Sequence, residues 1–88
     1  MNTATTLQEN VGEALLERIN NANEAQVDAL WGILKYKEIG IYRKVASMSE
    51  VLGLEFQEVV NNLPQDEEGR VLDYKTRHLI HDALIQVS

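Results

Sequence analysis

Leu7, Val11, Leu15 and Ile19 recur every fourth residue with Ala14 and Ala22 beside them, a spacing that draws one apolar stripe along a helix. Thr6 stands before the stripe and Glu9 three residues on, which predicts a capping box at the helix start. Asn20 and Asn21 end it. Val27, Leu30, Trp31 and Leu34 then repeat at i, i+3, i+4, i+7 behind Asn23 and Gln26, predicting a second capped helix with Trp31 packed in the core. Gly40 is its expected left-handed terminator. The short turn between these helices predicts an antiparallel pair.

From Ile41 to Leu63 two patterns compete. In the preferred one, Ile41 to Leu52 is a helix, Gly53 a turn, and Glu55 to Leu63 a second helix. In the other, Ser47 and Glu50 form a capping box for one helix whose stripe is Met48, Leu52, Phe56, Val59 and Leu63. A glycine inside a helix costs only about 1 kcal/mol relative to alanine, so Gly53 alone does not decide between them. Leu52 is in the core either way. Pro64 and the run QDEEG form a loop, with Asp66 expected to cap the last helix. There Leu72, Thr76, Leu79, Ile80, Ala83, Leu84 and Val87 make one face, the expected seam for self-association, and Asp73 and Arg77 form an i, i+4 pair.

These stripes, with no long alternating strands, predict an all-α chain: a compact four- or five-helix domain, with residues 1–5 disordered. Eighty-eight residues fit a single domain spanning 1–88 and bury about 60 to 65% of their unfolded surface, which leaves little room for a deep substrate pocket. The 44% hydrophobic content is what a folding chain needs. No cysteine is present, so disulfides and thiolate metal sites are excluded. Nothing approaches the roughly 18 apolar residues of a membrane span. With MNTATTLQEN at the start, this points to a cytoplasmic protein with no membrane contact.

Residues 45 to 63, VASMSEVLGLEFQEVVNNL, resemble a degenerate helix-turn-helix. Ser49 sits where a small residue is wanted, Gly53 at the turn, and Met48, Leu52, Leu54 and Val59 at the packing points. A recognition helix there would present Glu55, Phe56, Gln57, Glu58, Asn61 and Asn62. That set includes two carboxylates and no cation, whereas contacts to phosphate and base edges draw on Arg, Lys, Asn and Gln. Glu55 also stands where Ser, Thr or Asp would cap better.

Charge sharpens the picture. The formal net charge is −6, but residues 35 to 44 carry about +3 between acidic flanks. In that island Lys35, Tyr36, Lys37, Tyr42, Arg43 and Lys44 mix cations with aromatic rings, a composition that grips an acidic protein surface and can also hold phosphate or stack on a base. Lys35 and Lys37 also suit the negative end of the second helix. His78, His81 and Asp82 supply fewer ligands than a closed zinc site uses. No glycine-rich phosphate loop or nucleophile–base spacing occurs, so neither a cofactor nor an enzymatic activity is expected. The reading is a small acidic, non-catalytic regulatory or adaptor protein. It acts through a protein partner and pairs with itself as a homodimer. A helix-turn-helix DNA-binding regulator, with nucleic acid as partner, is the alternative.

Overall fold

The computed structural model describes residues 12–88. Five helices follow one another: α1 (Glu13–Asn20), α2 (Glu24–Lys35), α3 (Ile41–Leu52), α4 (Phe56–Asn61) and α5 (Asp73–Val87). Helix accounts for 69% of these residues, and no strand is present among them, so the domain is all-α. None of these helices is long and apolar enough to cross a membrane. Helix α3 is central and packs on each of the other four, while α5 lies against α1, α2 and α3. The core is Leu15 and Ile19 of α1, Val27 and Leu30 of α2, Val45, Met48 and Leu52 of α3, Val59 and Val60 of α4, and Ile80 and Leu84 of α5, closed by Leu63 and Val71.

Each boundary has a local cause. Asn23 and Gln26 form the expected capping box of α2, with Gln26 N–H donating to Asn23 Oδ1 at 2.8 Å and Asn23 N–H to Gln26 Oε1 at 3.0 Å. Gly53 adopts φ 73° and ends α3. Its N–H bonds the Glu50 carbonyl and the Leu54 N–H bonds that of Ser49 at 2.8 Å, the paired closure of a Schellman motif. The helix therefore breaks at Gly53 and the continuous alternative falls, with Ser47 lying inside α3 rather than capping it. Glu55 caps α4 after all, its carboxylate accepting from Glu58 N–H at 2.8 Å.

Four expectations are corrected. Gly12 has φ 72°, so α1 begins at Glu13, not after Thr6, and carries Leu15 and Ile19 of the expected stripe, while Leu7 and Val11 lie outside the described residues. Thr6 and Glu9, with residues 1–5, lie outside the described residues. Gly40 is not a left-handed terminator: it has φ −78° and opens α3, whereas α2 has already ended at Lys35. Asp66 does not cap α5. Its carboxylate accepts instead from Glu68 N–H at 2.9 Å and Arg70 N–H at 3.0 Å, closing a small loop in which Gln65 and Val71 form one antiparallel bridge. The α5 stripe proposed as a self-association seam is core-facing: Thr76, Ile80 and Leu84 are buried and Leu79, Ala83 and Val87 half-buried.

Candidate functional site

The basic island spans the end of α2, the loop after it and the start of α3, and its six residues have different fates. Lys44 is wholly buried. Its ammonium donates to the carbonyl oxygens of Ile33 at 2.8 Å and Leu34 at 2.9 Å, and to that of Tyr36. The Ile33 carbonyl also accepts the Tyr36 N–H at 3.2 Å, whereas those of Leu34 and Tyr36 are left over at the α2 C-terminus, so a lysine from the next helix supplies the cap that Gly40 does not. Burial pushes the Lys44 ammonium below the usual lysine range; the neighbouring Arg77 pushes the same way and Asp73 opposes. Lys44 is therefore absent from the surface patch the sequence suggested.

Tyr42, 42% exposed, turns toward the loop before α5 and accepts a hydrogen bond from Val71 N–H at 2.8 Å. Lys35 leaves in another direction and lies 5.7 Å from the centre of the Trp31 ring. Trp31 itself is half-buried, with its indole N–H on Ser88 Oγ at 3.0 Å and its ring meeting His81 edge-on at 5.5 Å. Tyr36, Lys37 and Arg43 remain exposed, and neither Lys37 nor Arg43 forms an ion pair with a described residue.

Tyr36 and Arg43 come together on an open cleft of about 470 Å³ whose other walls are Ala29, Gly32, Ile33 and Ile39. These four were not singled out as site residues. The signal was there in part: Ala29 and Gly32 are small residues one turn apart on α2, the pattern that leaves a shallow floor beneath a larger neighbour. The loop after α2 brings Ile39 to the same cleft. The cleft thus has an apolar bed, an exposed phenol and a guanidinium at its edge. Lys37 lies in the connecting loop outside the lining.

The alternative recognition surface is short. α4 has six residues, Phe56 is half-buried, and Glu55, Gln57, Glu58, Asn61 and Asn62 are exposed. Several of these groups are engaged locally: Gln57 Nε2 donates to Asn61 Oδ1 at 3.0 Å, and Asn62 Nδ2 to the Glu58 carbonyl at 2.8 Å. Among the described residues no cluster of three His, Cys, Asp or Glu is arranged to hold a metal. The chain matches no protein-family model, and neither a curated protein nor a solved structure is significantly similar to it.

Proposed function

We propose that this is a small non-catalytic regulatory or adaptor protein that works through protein contacts, and that its partner engages the Tyr36–Arg43 cleft. The observation that carries this reading is the juxtaposition of an apolar bed with an aromatic ring, 54% exposed at Tyr36, and a cation, Arg43, with no ion pair among the described residues. Exposed aromatic and arginine side chains are the residues that most often dominate a binding interface. On a chain of net charge −6, a local positive edge favours an acidic partner segment that carries an apolar anchor for the bed.

The test is affinity capture from the native host with wild type and with Lys37→Glu/Arg43→Glu, beside Arg18→Glu as a control on α1. The expected outcome is a set of acidic partners retained by wild type and the control and lost by the double reversal, with circular dichroism unchanged. Equal capture by all three proteins would remove the cleft from the reading.

A helix-turn-helix DNA regulator is a second reading, favoured by the left-handed turn at Gly53 and the buried Ser49 and Val59 beside it. The exposed carboxylates of Glu55 and Glu58 oppose it, because each meets phosphate with like charge. Recovery of a consensus duplex from a random pool would promote this reading over the adaptor one.

A further inference from the structure

The outward face of α5 carries a stripe of its own. Tyr74, His78, His81 and Ile85 recur at i, i+4, i+7 and i+11, which places them in one line along the helix. All four are exposed, Tyr74 at 76% and Ile85 at 56%. Tyr74 and His78 already meet edge-on, with ring centres 4.7 Å apart. Lys75 and Asp82 lie on a single flank of this stripe, since both line the cleft that runs beside it over Leu16, Leu63, Leu72 and Leu79. Arg77 lies on the opposite flank, paired with Asp73.

We infer that this face binds a second copy of the chain, α5 against α5 in antiparallel register. When two identical helices pack antiparallel about a two-fold axis, each flank meets the same flank of its mate with its order reversed. An axis passing between Leu79 and Ile80 puts Tyr74 opposite Ile85 of the second copy, and His78 opposite its His81. On the shared flank, Lys75 of one copy then comes alongside Asp82 of the other, and the contact repeats by symmetry. The face is self-complementary in shape class and in charge.

Charge also singles out this helix. An acidic protein repels its own kind, but in α5 the two carboxylates of Asp73 and Asp82 balance Lys75 and Arg77, and no other described helix is formally neutral. Self-association is least opposed there. The stripe is only about 16 Å long at the helical rise, so the contact is smaller than a standard interface and the dimer is a weak one, populated at high micromolar concentration. This surface is separate from the Tyr36–Arg43 cleft and does not depend on what that cleft binds.

Sedimentation equilibrium tests the pairing. Wild type should show a monomer–dimer equilibrium at high micromolar concentration and neutral pH. Ile85→Asp should weaken it about tenfold or more while leaving circular dichroism unchanged, because Ile85 is exposed in the monomer. Lys75→Asp and Asp82→Lys should each weaken it, and the two together should restore it. A strict monomer overturns the inference. So does a dimer indifferent to Ile85→Asp, which would locate the seam elsewhere, or a double swap no tighter than either single one, which would exclude the Lys75–Asp82 contact.

Discussion

At Lys44 one side chain decides where another helix ends. Its three donors meet three carbonyls from residues 33, 34 and 36, and no carboxylate of a described residue shares them in hydrogen bonding. The ammonium is thus hydrogen-bonded to partial charges only, and burial, helped by Arg77 and opposed by the Asp73 carboxylate, presses its pKa down. Lys44→Met keeps the apolar stem but leaves the Leu34 and Tyr36 carbonyls without this donor, while that of Ile33 keeps the Tyr36 N–H; an acceptor orphaned away from water costs about 1–3 kcal/mol. Denaturant unfolding should register that loss, and an unchanged midpoint would show the carbonyls satisfied some other way. Asp66 gives the pH counterpart. The backbone N–H of Arg70, then that of Glu68, and the Arg70 guanidinium hold its carboxyl below the ordinary 3.8. A depressed carboxylate contributes stability above its unfolded pKa and loses it as pH falls through the lower folded value. The amide resonances of Glu68 and Arg70 should therefore titrate together with a midpoint below 3.8, and a midpoint at or above it would mean the loop does not stabilise the charge. Lysine 44 read as a surface cation in the sequence because nothing local distinguishes it from Arg43. Its partners are supplied by folding, 8 to 11 residues away.

Among the helices, Gly53 offers the cleanest test. A Cβ placed there would meet no atom within 4 Å, so alanine introduces no clash and its cost is the left-handed backbone alone. That is about 1–2 kcal/mol for an L residue. Gly53→Ala should lower stability by that amount in urea titration, whereas a neutral or stabilising result would mean that α3 runs on through residue 53. Elements were legible wherever a stripe and its cap lie close in sequence, as in α2 with Asn23 and Gln26 or α3 with Gly53. They were misread where one local signal had two outcomes. The fourfold spacing of Leu7 to Ile19 looks the same whether or not Gly12 turns left-handed between its halves. Asp66 has a cap's chemistry, but its own loop offers the Glu68 and Arg70 amides first. The candidate site was half legible for a similar reason: Tyr36 and Arg43 stand out by type, while Ala29, Gly32, Ile33 and Ile39 form a cleft only once the loop folds back over α2.

Over the whole molecule, charge separates the two functional readings. The sequence allowed four cations to drive contact with nucleic acid, but the fold withdraws Lys44 and turns Lys35 toward Trp31, so at most Lys35, Lys37 and Arg43 remain outside. Neutralising about three phosphates gives a log–log salt slope near −2.7. At about 150 mM salt the screening length is only about 8 Å, so three cations act over short range and cannot offset a body of net charge −6 carrying Glu55 and Glu58 on the approaching helix. The expected outcome is weak, sequence-independent retardation of duplex DNA at low ionic strength that fades as salt rises, with no consensus site selected at about 150 mM. Gel shifts across a salt series measure this directly. A slope much steeper than about −3 would require more phosphate contacts than this surface offers, and together with a selected site it would move the function from the cleft to α4.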